Sequence, residues 1–129
     1  MSFMLNLTPY FTAVDEAHLA RVAAARSACV SAISSAEAAY REAPTDAGAT
    51  KHEANRIYAE AIKAAEADRD AAIAASEAER RRLYDAPKLN GFNDHLRFDT
   101  LDDATAYRDA HALEAPVSIV EVLTDGAAV

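Results

Sequence analysis

Apolar residues recur every three or four positions through the first third of the chain, interrupted once by Arg26. One apolar stripe at this spacing is typical of a helix that buries a single face. The stripe consists of Leu19, Val22, Cys29, Ile33, Ala36 and Tyr40.

Two start signals compete for this helix. Thr8 is followed by Pro9, which suits a first-turn position, and Thr12 is followed three residues later by Asp15, which resembles a capping box. Pro44 ends the pattern because its ring clashes with the preceding turn and it has no N–H to donate. The sequence therefore predicts a helix over about 13–43.

A second helix is predicted over about 51–84. Thr50 and Glu53 form a capping box, and neither Gly nor Pro occurs again until Pro87. Two helices of matching length joined by a short loop form an antiparallel hairpin by default. We expect a coiled-coil-like hairpin over 8–87 that projects from the rest of a single domain, 1–129.

An eleven-residue segment, 59–69, is echoed by 70–80 with six identical positions. A true eleven-residue period would make this stretch straight or slightly right-handed, with Ile62, Ile73 and Tyr84 in one register. The echo is equally consistent with chance in an alanine-rich chain. The helix prediction is the same in both cases.

The last third of the chain predicts a small α/β base over 88–129. A short strand is expected at 95–98, a helix at 101–113 capped by Thr100 with Asp103, and a β-branched strand at 117–123. This order allows a parallel strand pair with a right-handed crossover. Because two strands alone are marginal, 3–7 is the natural third strand, so 1–7 joins the base. The fold class is mainly α.

Alanine makes up half of the apparent hydrophobic content. The chain has 33 alanines, 25 of them in 13–78, against 25 Leu, Ile, Val and Phe residues in total. A seam of one-carbon side chains lets helices approach closely but buries little apolar surface. We therefore expect the hairpin to need a partner, with Val14, Val30 and Ile57 left exposed to meet it. The residues expected to close the hairpin are Leu19, Val22, Ile33, Tyr40, Tyr58, Ile62, Ile73 and Leu83.

Charge and composition limit the class of protein. The net charge of -8, from 21 acidic and 13 basic residues, argues against direct nucleic-acid binding, which depends on Lys and Arg. No apolar run approaches the ~20 residues of a membrane span, and the first residues lack the features of a signal peptide. A single cysteine, Cys29, requires no oxidising compartment. The protein is expected to be soluble and cytoplasmic when synthesised, with no membrane partner.

Candidate chemistry is weak throughout. The four histidines lie on four different predicted elements, and Asp15 with His18 has no second pair of the kind that di-iron bundles need. Cys29 falls on the apolar stripe, where a thiol packs as a small hydrophobe. Three Gly residues leave no phosphate-binding loop. We expect no catalytic residues, no metal and no cofactor, and predict that the protein is not an enzyme.

Two charged groups are candidate contact points. Arg80, Arg81 and Arg82 lie near the end of the second helix, where they either complement the helix dipole or bind an acidic group. The base carries a cluster of aspartates that is either a solvated, helix-capping face or a row of carboxylates for a basic partner. The cluster consists of Asp94, Asp99, Asp102, Asp103 and Asp109.

These features favour a structural or interaction protein over a catalyst. The alanine-rich, gap-free helices with a small cap are similar in composition to accessory proteins of bacteriophage particles, such as collar, tail or fibre-attachment components. That resemblance implies a homo-oligomer or a part of a multi-protein particle, and incorporation in a virion. The alternative is a small acidic inhibitor that binds a basic, nucleic-acid-binding protein through the aspartate-rich face.

Overall fold

The computed structural model describes residues 2–43, 48–89, 91–92, 96–111, 113 and 117–122. It confirms a mainly helical chain with two long helices that pack against each other, and the chain also contains a small two-stranded sheet and a short helix. Two compact units are formed, one from 1–17 with 78–129 (unit 1) and one from 18–77 (unit 2). The elements in chain order are β1 (Ser2–Asn6), α1 (Thr8–Glu42), α2 (Gly48–Leu89), α3 (Leu101–Ala110) and β2 (Ser118–Val122).

The first helix begins at the earlier of its two start signals. Thr8 opens α1, Pro9 occupies the first turn, and the side-chain oxygen Oδ1 of Asn6 accepts a hydrogen bond from the Thr8 N–H at 3.1 Å. Proline costs nothing there because first-turn N–H groups have no partner within the helix. The helix ends at Glu42, two residues before Pro44, as predicted.

The capping box predicted for the second helix is wrong. α2 begins at Gly48, so Thr50 already lies inside the helix. The carboxylate of Glu53 accepts hydrogen bonds from Arg56 one turn later. The Glu53 side chain that the capping box required is therefore in an ion pair with Arg56 on the helix surface.

The second helix also continues through Pro87, which was expected to end it. Pro87 has no N–H, so the carbonyl of Leu83 lacks its usual donor four residues on. The hydroxyl of Tyr10 donates to that carbonyl at 2.5 Å. The side-chain bond replaces the missing backbone bond, and α2 runs to Leu89.

The helix then stops in a Schellman motif, the left-handed turn that closes many helices. Gly91 has a φ of +86°, its N–H donates to the Lys88 carbonyl, and the N–H of Phe92 donates to the Pro87 carbonyl at 2.9 Å. Asn90 lies outside the described residues. The positive φ of Gly91 requires glycine at this turn.

The strand pairing differs from the prediction. β1 pairs with β2 in antiparallel fashion, with Ser2 opposite Val122 and Asn6 opposite Ser118. Of the strand expected at 95–98, Phe98 forms one isolated bridge to Phe3, and His95 lies outside the described residues. The predicted parallel pairing of 95–98 with 117–123 is wrong, because β2 pairs with the N-terminal strand β1 and runs antiparallel to it.

Unit 1 contains the main hydrophobic core. The short helix α3 closes it and is capped as predicted, since Thr100 Oγ1 accepts a hydrogen bond from the Asp103 N–H at 3.1 Å. α3 ends at Ala110, three residues earlier than expected. The buried core residues are Leu5, Tyr10, Val14, Leu83, Phe92 and Val117.

Candidate protein-interaction surface

Unit 2 has almost no core of its own. Among its described residues, the buried ones are Cys29, Ala65 and Ser76, each with a small side chain. Cys29 is 5 % exposed, so its predicted place on the buried stripe is confirmed. Where Ala and Cys face each other, two helices approach closely but remove little apolar surface from water.

The larger apolar residues of unit 2 are only half-buried along the seam between α1 and α2. The rings of Tyr40 and Tyr58 pack at a centroid distance of 5.3 Å near the end of the pair. Others in this partly shielded group are Val22, Ile33, Ile62 and Ile73. Leu19 was expected to join them, but 66 % of it is exposed, so that prediction is wrong.

A polar cluster occupies the seam beside Leu19. The hydroxyl oxygen of Ser76 lies 2.8 Å from His18 Nδ1 and accepts a hydrogen bond from Arg21 Nε at 2.8 Å. Ser76 is 2 % exposed, and Arg21 Nη2 is buried without a partner. His18 and Arg21 occupy the face of α1 that points into the seam. Leu19 therefore lies on the solvent side of the helix.

The three apolar residues predicted to contact a partner differ in their exposure to solvent. Val14 is 2 % exposed within the core of unit 1, so it is not available to a partner and its prediction is wrong. Val30 is 64 % exposed and Ile57 is 53 % exposed, both in unit 2. Together with Leu19, they are the large apolar side chains that unit 2 presents to solvent among its described residues.

An apolar groove runs between α1 and α2 on one face of unit 2. Its larger cavity, about 550 Å³, lies near the Tyr40 and Tyr58 rings, and Ile57 and several alanines line it. A second cavity of about 250 Å³ is lined by Cys29, further alanines, Asp68 and Arg69, and Ala32 lines both cavities. We define the groove as these two adjoining cavities.

The groove was not predicted from the sequence. A signal for it existed, since Ala28 and Ser35 line it and lie seven residues apart. A heptad of small residues marks a helix face that permits close packing. The number of alanines, which is high in both helices, does not by itself show which face of a helix carries this spacing.

The basic run at 80–82 is largely engaged within its own unit. Arg80 Nε donates to Asp15 Oδ1 at 2.9 Å, and Arg82 donates to Glu79 at 2.6 Å. The hydrogen bond to Asp15 raises the pKa of Arg80 above its ordinary value. Arg81 is exposed. Two of the three arginines therefore satisfy local carboxylates, and a role for the run in binding stays a prediction.

The aspartates of the base have local roles in helix α3. Asp102 and Asp103 lie in its first turn, where negative charge is favourable, and Asp109 pairs with Arg108 at 3.4 Å. Asp99 is exposed just before the helix. Asp94 lies outside the described residues. These positions and contacts support the helix-capping interpretation. A basic partner for this face stays a prediction.

No group of three or more His, Cys, Asp or Glu side chains is placed to hold a metal ion anywhere in the described ranges. In the same ranges, no helix is both long enough and apolar enough to cross a bilayer. Comparison of the chain with protein-family models, with curated protein sequences and with solved structures found no match.

Proposed function

We propose that this protein is a structural or interaction component of a larger protein assembly, and that unit 2 is the part that packs against other proteins. One observation carries the proposal. Unit 2 buries no large apolar side chain among its described residues, while Leu19, Val30 and Ile57 are each more than half exposed. Unit 1, in contrast, has a core of large apolar residues.

The energetics of the two units differ for that reason. Ordering a helical residue costs about 1–2 kcal/mol of backbone entropy, which burial must offset. Full burial of a Leu, Ile or Val side chain contributes about 1.5–3 kcal/mol, and alanine contributes much less. In unit 2 the side chains able to make that contribution are half-buried or exposed. Contacts with a partner along α1 and α2 would supply the missing burial.

The finer proposal is a component of a bacteriophage particle, such as a collar, tail or fibre-attachment protein. It rests on the composition of the two helices, whose alanine-rich sequence contains no Pro between Pro44 and Pro87. In this role the chain would be assembled with copies of itself or with other particle proteins. Purification of the particle and identification of the chain in it by mass spectrometry tests this part separately.

Two measurements on the purified full chain test the main proposal. Sedimentation velocity at micromolar concentration gives the mass of the native species. Hydrogen exchange, followed peptide by peptide, gives the protection of unit 2 relative to unit 1. We expect either an oligomer, or a monomer whose unit 2 amides exchange much faster than those of the Tyr10 and Leu83 region.

A monomer in which unit 2 is as well protected as unit 1 would contradict the proposal. That result would show that the helices of unit 2 are stable with their apolar side chains in water. The exposed residues would then need no partner.

A further inference from the structure

The outer edge of strand β2 carries unpaired backbone groups. Phe3 exchanges both of its backbone hydrogen bonds with Phe98, at 2.8 Å each, so its N–H and C=O point away from β2. Phe3 lies opposite Glu121 in the β1–β2 pair, and hydrogen-bonded and non-hydrogen-bonded pairs alternate along an antiparallel ladder. Ile119 and Glu121 therefore direct their N–H and C=O groups away from β1. No other residue that the structure describes forms a hydrogen bond with these groups.

An open edge of this kind is a template for another extended strand. We propose that β2 pairs with β2 of a second copy of this chain, antiparallel across a two-fold axis at Val120. The pairing joins two sheets of two strands into one sheet of four, and a two-stranded sheet alone is only marginally stable. This surface belongs to unit 1, so the inference goes beyond the proposed function, which concerns unit 2.

The backbone of β2 is complementary to itself in this register. Ile119 of each chain lies opposite Glu121 of the other, and each such pair exchanges both of its N–H···O hydrogen bonds. An axis at Glu121 would instead place two carboxylates opposite each other, which is unfavourable. An axis at Ile119 would direct the Glu121 N–H to the Val117 carbonyl, which already accepts a hydrogen bond from Arg108 at 3.4 Å. The register at Val120 avoids both conflicts.

The side chains on the two faces of β2 suit this pairing. Ile119 packs against the core of unit 1, whereas Val120 lies on the opposite face and is 39 % exposed. The two copies of Val120 would lie side by side at the axis, where β-branched residues pack well on the pleated surface of a sheet. The pairing therefore shields exposed apolar surface and leaves the core of each copy unchanged.

Charge complementarity supports a second copy as the occupant of the edge. Helix α3 lies on the core side of the sheet, and from there Arg108 reaches the Val117 carbonyl, just before β2. In the proposed register Glu121 of the second copy lies opposite Ile119, two residues along the strand from Val117 and on the same face. Two residues span about 7 Å, which two long side chains can bridge. Glu121 is exposed and forms no ion pair with a described residue of its own chain.

Disulfide trapping in the full-length protein tests the register. Val120→Cys places two thiols in a non-hydrogen-bonded pair, where Cα atoms are about 4.5 Å apart and a disulfide can form. Ser118→Cys is the matched control on the same face of β2, because its two copies would lie four residues apart, roughly 13 Å along the strands. Both variants retain the buried Cys29. We expect mild oxidation to convert most of the Val120→Cys protein, and little of the Ser118→Cys protein, to covalent dimer.

Proline at position 121 tests the backbone hydrogen bonds. Because the Glu121 N–H points away from β1, Glu121→Pro removes donors from the dimer but none from the β1–β2 pair. Glu121→Gln is the matched control, since it removes the charge and keeps the N–H. Sedimentation equilibrium from micromolar to millimolar concentration gives the dimer dissociation constant. We expect a rise of at least tenfold for Glu121→Pro and of less than about fivefold for Glu121→Gln, with circular dichroism as the check on folding.

A charge exchange tests the contact between the two copies. Glu121→Arg and Arg108→Glu each place like charges beside each other across the interface, so each should raise the dissociation constant more than about fivefold. The double variant restores opposite charges and should recover most of that loss. Within one chain, Arg108 lies at Val117, four residues along the strand from Glu121. Recovery therefore requires the second copy, and its absence would contradict the proposed contact.

The outcomes separate this inference from the proposed function. A chain that stays monomeric at millimolar concentration overturns the β2 pairing, as does an oligomer that Val120→Cys does not trap. Rapid exchange of unit 2 amides in either case still supports the proposed function. If the Glu121→Pro monomer instead has a unit 2 as well protected as unit 1, the proposed function fails although the β2 pairing stands.

Discussion

The hydroxyl of Tyr10 donates a 2.5 Å hydrogen bond to the Leu83 carbonyl, the one that Pro87 leaves without a backbone donor in α2. Tyr10 is completely buried, as is Pro87 to within 2 %. A side chain from the start of α1 thus completes the backbone hydrogen bonding of α2 next to its proline. Helix α2 can continue through Pro87 because of this contact in unit 1.

Tyr10→Phe should destabilise unit 1 by about 1–3 kcal/mol, because it leaves the buried Leu83 carbonyl without a partner. Chemical denaturation followed by circular dichroism measures the change. The control is the same substitution in a Pro87→Ala background, where the new N–H can bond Leu83. We expect the cost of Tyr10→Phe to fall by at least half there, and an unchanged cost would argue against the compensation.

Gly91→Ala should destabilise the protein by about 1–3 kcal/mol, the cost of holding a non-glycine residue at positive φ. The φ of Gly91 is +86°, and an added Cβ would lie 2.7 Å from the Tyr107 hydroxyl oxygen. Adding Tyr107→Phe removes the atom in close approach but not the backbone strain. Thermal unfolding should therefore show only partial recovery in the double variant, and full recovery would mean that the φ angle contributes nothing.

Ser76→Ala should destabilise unit 2, because the hydroxyl lies between His18 Nδ1 and Arg21 Nε in a buried part of the seam. Its loss leaves Arg21 Nε without that acceptor, at a cost of about 1–3 kcal/mol. Hydrogen exchange of peptides from 18–77 reports the effect. Ser31→Ala, at an exposed position, is the matched control and should change exchange little. Equal effects of the two substitutions would contradict a role for the cluster.

Tyr84 should make the protein sensitive to alkaline pH. Its hydroxyl donates to both oxygens of Asp15, at 2.7 and 2.8 Å, and this bond to Asp15 raises the pKa of Tyr84 above 10.0. A pKa raised by folding stabilises the folded state at pH values below the unfolded pKa of about 10, and that contribution disappears as pH rises through the folded pKa.

Tyr84→Phe removes this contribution while the ring can still stack on Phe11. The difference in unfolding free energy between wild type and variant should be largest near neutral pH. It should shrink above pH 10, because wild-type Tyr84 then loses its proton. Titration of denaturant midpoints from pH 7 to pH 11.5 measures it. A difference that stays constant over this range would show that the Tyr84 proton makes no contribution.

Salt distinguishes an apolar assembly from an acidic docking face. Raising the ionic strength from about 0.05 to 0.5 M shortens the screening length severalfold but leaves apolar contacts largely intact. We expect the dissociation constant of the assembly to change by less than about threefold. Steep weakening would instead favour binding through the aspartates of the base, Asp99, Asp102, Asp103 and Asp109.

The periodic pattern predicted the two long helices well because each residue's local preference and the apolar spacing agree. The end of α1 before Pro44, the Thr100 cap of α3 and the burial of Cys29 followed from local chemistry. Unequal use of alanine also indicated where a large-residue core would be absent. These features depend on residues within one or two turns of each other.

Contacts distant in sequence decided the rest. Val14 is buried because it packs into the core of unit 1. Leu19 is exposed because His18, Arg21 and Ser76 fill the neighbouring part of the seam. Both residues are apolar, so hydropathy alone could not show which of the two is buried. The path of α2 through Pro87 depended on Tyr10, which is 73 residues before Leu83.

The sequence by itself determined the helical class, the approximate positions of the long helices and the uneven distribution of alanine along the chain. Tertiary structure alone decided the antiparallel β1–β2 pairing, the groove of unit 2 and the exposure of Leu19. The physical reason is that periodicity shows which residues share a face of a helix. It does not show which part of that face a neighbour will cover.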